Sequence, residues 1–342
     1  MLGGAPIQGG VVTISTATDL HAVAEQMTSG GRGLLAADES IPTMSQRLEA
    51  AGVTASDIAR RDYRQLLLTA PGLAATVSGI ILCDETFGQS LTDGRRFPEA
   101  AHELGVLPGI KVDTGTVACP GVDGALLTQG LDGLDERLES YAARGAAFAK
   151  WRAVLSVETL VPQVAEGNAA ALAAYAAACQ RHGLVPVVEP EVLAAGSHDL
   201  VDSARATRMI LEAVFAELDR AGVDLSGIVL KPNLVTPGLD SQQVSPRTIA
   251  TVTYDVLRAT VPAAVTGIAF LSGGHPTHRV TAALAELNRI EDAPWHLTFS
   301  FGRALVNDAL ATWEGSPAHV TAAQRALLAN CREAAGAAGC GC

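Results

Sequence analysis

Short apolar runs alternate with longer stretches of helical period along most of the chain. The runs, each rich in small or β-branched residues, are Gly33–Asp38, Val77–Asp84, Gly109–Asp113, Ala146–Arg152, Leu184–Glu191, Gly227–Asn233, Gly267–Gly274 and Leu297–Arg303. Between them lie Ala-, Leu- and Glu-rich stretches such as Leu131–Gly145, Val157–His182, Val201–Gly222 and Thr277–Arg289. A strand that is apolar on both faces must be covered on both faces, and crossover helices give parallel strands that cover. Eight such units predict an α/β fold, a closed (β/α)8 or TIM barrel. No Pro/Ser-rich linker or shift in composition divides the chain. The expectation is therefore a single domain over residues 1–342, with a loose arm at 1–18 and a flexible Gly/Ala-rich tail at 336–342.

Composition narrows the function. Apolar residues make up 48% and aromatics only 4%, so a large core must be aliphatic, as a barrel interior of stacked branched side chains requires. The net charge of −12 repels phosphate backbones and anionic lipid, so neither nucleic acid nor membrane is expected as a partner. No apolar stretch has the length of a membrane helix, and the start, MLGGAPIQGG, lacks the basic and apolar regions of a secretory signal. Cys83, Cys119, Cys179 and Cys331 are scattered without metal spacing, and Cys340 and Cys342 form a lone CxC. A chain of this size needs no disulfide framework, so a reducing, cytoplasmic setting is expected.

In this fold the active site lies at the carboxyl ends of the strands. There the sequence places Asp38, Lys111 with Asp113, Lys150 with Arg152, Glu189 with Glu191, Lys231, Ser272-Gly273-Gly274 and Gly302-Arg303. One charge at the end of an apolar run is explained by a paired core residue; charge from six strands on one rim is not. Lysine usage sharpens the reading: only Lys111, Lys150 and Lys231 stand against 21 arginines, and all three fall on predicted strand ends. Arginine keeps its proton in proteins, whereas lysine can lose one and become a nucleophile. Burial and a second cation nearby lower a lysine pKa, so the pair Lys150 and Lys231 predicts a lowered value for one of the two. Glu189 and Glu191, on the strand between them, are placed to move protons, and Asp38 offers a carboxylate from across the barrel.

The glycines at the ends of runs seven and eight, each before a helix, suit a phosphate held by backbone N–H groups. Lys111, Arg152 and Arg47 form a second basic group, read as lying on the other side of the barrel. Two basic poles flanking lysines and carboxylates imply a bisphosphorylated small molecule. The rival is a metal site. Only His275 and His278 are close in sequence, and no rim position adds a third histidine, so no metal is expected.

These residues together resemble the class I fructose-1,6-bisphosphate aldolases. The matching stretches are GRGLLAADES (31–40), GIKVDTG (109–115), TQGLDGL (128–134), FAKWR (148–152), VPVVEPE (185–191), LKPN (230–233), FLSGG (270–274) and FGRAL (301–305), which keep the family's order over about residues 18 to 330. The resemblance implies that Lys231 forms a Schiff base with the ketone, without metal or cofactor. It implies that Glu189 is the main acid/base group, supported by Lys150 and Glu191, and that Asp38 orients C–C cleavage. It assigns Ser272, Gly273, Gly274, Arg303 and Arg47 to a 1-phosphate pole, and Ser40, Lys111 and Arg152 to a 6-phosphate pole. It further implies a homotetramer. Gln46 stands where the family usually has a basic residue, and Thr43 where serine is usual. Residues 275–280 read HPTHRV in a stretch that is often acidic in the family, and the tail lacks a tyrosine. The alternatives are another imine-forming aldolase or transaldolase, and a catalytically silent barrel that binds a sugar phosphate.

Overall fold

The eight apolar runs become eight parallel strands of one closed barrel in the computed structural model, which describes residues 19–339. In chain order the strands are β1 Gly33–Ala37, β2 Val77–Leu82, β3 Leu107–Lys111, β4 Thr116–Ala118, β5 Leu126–Thr128, β6 Phe148–Leu155, β7 Val185–Val192, β8 Val229–Leu230, β9 Gly267–Phe270 and β10 His296–Phe301. β4 and β5 form a separate antiparallel hairpin; the other eight close in the order β1, β10, β9, β8, β7, β6, β3, β2. The helices are α1 Leu20–Thr28, α2 Ile41–Ala50, α3 Asp57–Leu68, α4 Asp84–Gly88, α5 Phe97–Glu103, α6 Leu134–Ala143, α7 Pro162–Arg181, α8 Leu200–Arg220, α9 Pro246–Thr260, α10 Thr277–Leu287, α11 Arg303–Trp313 and α12 Val320–Ala338.

Two cores result. A large shell of Leu, Ile, Val and Ala packs between the strands and the outer helices. A smaller cluster, including Leu34, Ile81, Phe148, Val185, Val187, Val229 and Ala269, fills the barrel from within. α1 closes its lower end with Ala24 and Met27, and Asp19 caps that helix by accepting from the Ala22 N–H. The Phe148 ring crosses the interior toward β3. A Cβ on Gly109 would lie 2.1 Å from that ring, so only glycine fits there. Burying such a ring contributes roughly 1.5–3 kcal/mol.

Strand parity carries this interior into a site. Side chains alternate along a strand, so residues two apart share a face. The parity that points Phe148 inward also points Lys150 and Arg152 inward. The same holds for Val187 with Glu189 and Glu191, Val229 with Lys231, and Leu34 and Ala36 with Asp38. The lower layers are apolar and the upper layers charged.

The structure differs from the sequence expectation in three places. The run Gly227–Asn233 pairs only at Val229 and Leu230, because Leu225–Gly227 is a 3-10 turn and Pro232 has no N–H to donate. The hairpin β4–β5 was not anticipated. The expected tail from residue 336 begins inside α12, where Ala337 and Ala338 are buried, so its first residues are packed helix. The arm read at 1–18, and Cys340 to Cys342, lie outside the described residues.

Candidate active site

A cavity of about 680 Å³ opens at the carboxyl end of the barrel. It is lined by Asp38, Ser40, Arg47, Lys111, Lys150, Arg152, Glu189, Glu191, Lys231, Ser272, Gly273, Gly302 and Arg303. Of the candidate residues only Gly274 faces elsewhere, into a neighbouring cleft that also contains Arg303.

At the floor lies a chain of buried charges. Lys231 Nζ is 3.0 Å from Glu189 Oε1. Lys150 Nζ is 3.0 Å from Glu189 Oε2 and 2.6 Å from Asp38 Oδ2. The Lys150–Glu189 approach is an ion pair by distance without the alignment of a hydrogen bond, which leaves Glu189 Oε2 with open acceptor capacity. The order along the chain is amine, carboxylate, amine, carboxylate. Each of the four side chains is at most 12% exposed, so the attraction between neighbours is weakly screened.

The charges set one another's protonation. Burial favours a neutral Asp38, but Lys150 and then Lys231 outweigh it and hold the carboxyl well below the usual aspartate range. Burial also pushes Glu189 upward, and Lys150, Lys231 and Arg152 reverse this to a net lowering. For Lys150, burial opposes the charge, yet Asp38, Glu189 and Asp113 hold the ammonium well above the ordinary lysine value. The sequence reading expected a lowered value for one of the two lysines, and Lys150 is not that one. Proximity of two lysines suggests that one titrates low, but the carboxylate contacts of Lys150 dominate.

The basic residues above the floor are paired as well. Lys111 Nζ is 2.6 Å from Asp113 Oδ1 and donates to the Asp113 carbonyl at 2.8 Å. Arg152 Nε donates to Glu191 Oε2 at 2.5 Å, and the Arg152 N–H donates to Asp113 Oδ2. Arg47 pairs with Glu39 and donates to Asn307 Oδ1 at 3.1 Å. Glu39 also meets the buried Arg64, whose guanidinium donates to the carbonyls of Ala37 and Glu39. Arg303 is exposed and forms no ion pair among the described residues.

Arg47 does not stand with Lys111 and Arg152, as reading the residues in chain order suggested. α2 follows β1, and barrel closure makes β1 the neighbour of β10, so Arg47 reaches Asn307 on α11. Ser40 caps α2, its hydroxyl 3.0 Å from that of Thr43. His275 is buried, with Nε2 3.0 Å from Thr236 Oγ1, while His278 is exposed. Among the described residues no three His, Cys, Asp or Glu side chains are gathered as a metal site.

Sequence reasoning passed over Glu39 and Ser300. It noted Asp113 at a strand end but assigned it no role. It also passed over the β4–β5 hairpin, whose Thr116 and Leu126 line the cavity. The spacing of Asp113 two residues after Lys111, at the end of one apolar run, was the available signal for Asp113; the hairpin strands are too short to show a period.

Comparison with known proteins follows this geometry. A family profile, fructose-bisphosphate aldolase class-I, matches residues 19–341. Fructose-bisphosphate aldolase 5, cytosolic, of Arabidopsis thaliana is 46% identical over 319 residues, covering 92% of this chain and 89% of its own length. The cytoplasmic isozyme of Cicer arietinum is 46% identical over 314 residues, covering 91% and 88%. The naming of these relatives as cytosolic or cytoplasmic agrees with the setting expected from the cysteines. No helix among the described residues is long and apolar enough to cross a membrane. The fructose-bisphosphate aldolase of Plasmodium falciparum, solved with TRAP and a small-molecule inhibitor, superposes with a TM-score of 0.92 at 39% identity, covering 94% of each chain. The chain belongs to the class I fructose-bisphosphate aldolases, glycolytic enzymes whose class trait is a Schiff base.

Proposed function

We propose that Lys231 carries the Schiff base in the reversible cleavage of fructose 1,6-bisphosphate to dihydroxyacetone phosphate and glyceraldehyde 3-phosphate. The observation that supports this best is the buried chain Lys231–Glu189–Lys150–Asp38, with contacts of 2.6–3.0 Å. Of the two lysines in this buried array, Lys231 is ion-paired with one carboxylate, Glu189, whereas Lys150 is held between two.

An amine attacks a carbonyl only when neutral, so Glu189 at 3.0 Å takes the proton from Lys231. The nitrogen then adds to C2 of the ketose. Glu189 returns a proton to the C2 hydroxyl, water leaves, and a protonated imine remains. Asp38 takes the proton of the C4 hydroxyl. The C3–C4 bond breaks, glyceraldehyde 3-phosphate departs, and the electron pair enters the nitrogen-conjugated enamine. The proton that Asp38 took is relayed by solvent water to the ionised Glu189, which delivers it to C3, so both carboxylates are restored; hydrolysis of the imine by one water then releases dihydroxyacetone phosphate and the amine. Lys150 stays charged and keeps Asp38 and Glu189 ionised, as acceptors of protons must be. Glu191 supports them by holding Arg152. In this reading Ser272, Gly273, Gly274, Gly302, Arg303 and Arg47 hold the 1-phosphate, and Ser40, Lys111 and Arg152 the 6-phosphate. The homotetramer implied by the family resemblance is part of the same proposal.

The test is reductive trapping. Dihydroxyacetone phosphate with borohydride converts the imine to a stable secondary amine. With three lysines in the chain, peptide mapping gives one answer. Label on Lys231 is expected; label confined to Lys111 or Lys150 overturns the assignment.

A further inference from the structure

The segment after Lys231 and the turn after β9 are joined by buried polar contacts that the chemistry above does not use. Residues 232–237 form no regular element, yet all are buried. Backbone groups tie this segment on both sides: the Lys231 N–H donates to the Val188 carbonyl at 2.8 Å, and the Leu271 N–H donates to the Pro232 carbonyl at 3.0 Å. Side chains continue the connection. The Val192 N–H donates to Asn233 Oδ1 at 3.0 Å, and Thr236 Oγ1 lies 3.0 Å from His275 Nε2. The latter is a hydrogen bond whichever group supplies the shared proton.

His275 ends the turn Ser272-Gly273-Gly274. Its N–H donates to the Ser272 carbonyl at 3.0 Å, and both glycines have positive φ, 57° and 85°. The turn therefore has no large side chains of its own to hold it in place. The imidazole packs beside it together with two apolar side chains: a Cβ on Gly273 would sit 3.7 Å from His275 Cδ2, 3.6 Å from Leu271 Cδ1 and 3.9 Å from Ala194 Cβ. The space between this turn, Asn233 and Thr236 is about 10 Å³, which leaves little room for the turn to shift.

We propose that His275 is a positioning residue for 1-phosphate recognition. Its bond to Thr236 fixes the Ser272–Gly274 turn relative to the backbone that carries Lys231. The inference rests on the reading of that turn as part of the 1-phosphate pole. The 1-phosphate is attached one carbon from C2, the atom that Lys231 attacks. Any slip between turn and lysine therefore misaligns either the phosphate or the carbonyl, and an ångström of misplacement is enough to slow a reaction markedly. Thr236 and His275 are both buried, so the bond is shielded from water and its loss strands a polar group.

The test compares Ser272→Ala, His275→Ala, His275→Gln, Thr236→Val and the double variant His275→Ala/Thr236→Val. KM and kcat are measured on fructose 1,6-bisphosphate and fructose 1-phosphate, with inorganic phosphate as a competitive probe. His275→Ala and Thr236→Val are each expected to raise KM about 5- to 30-fold, the range of one lost buried hydrogen bond. The rise is equal on both substrates, since both carry the 1-phosphate. Phosphate inhibition weakens in parallel, the double variant is no worse than the worse single one, and His275→Gln recovers part of the loss. If Ser272→Ala raises KM while His275→Ala and Thr236→Val do not, the role of His275 is refuted and the phosphate reading stands. If Ser272→Ala has no effect on KM or on phosphate inhibition, the phosphate reading fails and this inference with it. Loss of thermal stability with unchanged KM marks a purely structural contact and also refutes it. Should His275→Ala not fold, Thr236→Val and His275→Gln decide the matter.

Discussion

Replacing Lys150 by Met keeps the length of the side chain and removes the cation between two buried carboxylates. Its Nζ is 2.6 Å from Asp38 and 3.0 Å from Glu189. At an effective dielectric near 20, unit charges at these distances attract by roughly 6 kcal/mol per pair. Desolvation offsets much of this, and removing one partner of a buried pair typically costs about 3–5 kcal/mol. At about 1.36 kcal/mol per pK unit, the penalty equals roughly 2–4 units shared between Asp38 and Glu189 if proton uptake relieves it. The sign follows from the parent. Both carboxyls are held low there, so the stability they contribute is present above their unfolded values and lost as pH falls through the folded ones. Without Lys150 both folded values rise, and a higher pH is needed to ionise either group. The acid limb of the kcat/KM profile of Lys150→Met should therefore move to higher pH by at least about one unit. Rate at neutral pH should fall by two or more orders of magnitude, on the scale of a lost acid/base group. A pH–rate series with circular dichroism at each pH tests this. An acid limb that stays in place, with folding intact, would refute the coupling.

Two further outcomes follow from the same contacts. Glu189→Gln keeps the shape of the side chain but cannot accept the Lys231 proton, so turnover should drop by about 10²–10⁴; single-turnover kinetics showing less than a tenfold loss would assign the proton transfer elsewhere. Lys111→Ala should lower kcat/KM on fructose 1,6-bisphosphate much more than on fructose 1-phosphate, which lacks the group that Lys111 is proposed to hold; equal losses would show a different role.

Strand parity made most of the floor legible in the sequence. Val187 and Glu189 must share a face, as must Phe148 and Lys150, so an apolar run that turns charged near its end already specifies which side chains meet inside the barrel. What parity cannot give is the partner across the barrel. Asp38 and Lys150 lie on strands far apart in sequence, and only closure brings them to 2.6 Å. That contact, with the one to Glu189, holds the Lys150 ammonium above the ordinary lysine value. Closure also moved Arg47, because the first strand adjoins the last. Glu39 went unread for a different reason: its pairing with Arg47 and Arg64 depends on how α2 and α3 pack, and helix packing leaves no mark in a short acidic motif.

The two basic poles are prepared differently, and this bears on how a polyanion enters an acidic protein. Lys111 is paired with Asp113 at 2.6 Å and Arg152 with Glu191 at 2.5 Å, so this pole carries balanced charge before anything arrives. In the proposed reading, a phosphate arriving there would exchange a carboxylate for itself. The gain is the difference between two charge-assisted interactions, not the whole of one. At the other pole Arg303 is exposed and has no ion pair among the described residues, and the adjoining Ser272–Gly274 turn adds the Ser272 hydroxyl and backbone groups but no carboxylate. No carboxylate need be displaced from Arg303. On the proposed assignment the 1-phosphate pole thus keeps one open cation, Arg303, beside the Arg47–Glu39 pair, whereas both cations of the other pole are paired. The Ser272–Gly274 turn of that proposed pole is tied to the segment after Lys231 by the Leu271–Pro232 and His275–Thr236 contacts, so a phosphate held there would be placed in fixed register with the amine proposed to form the imine.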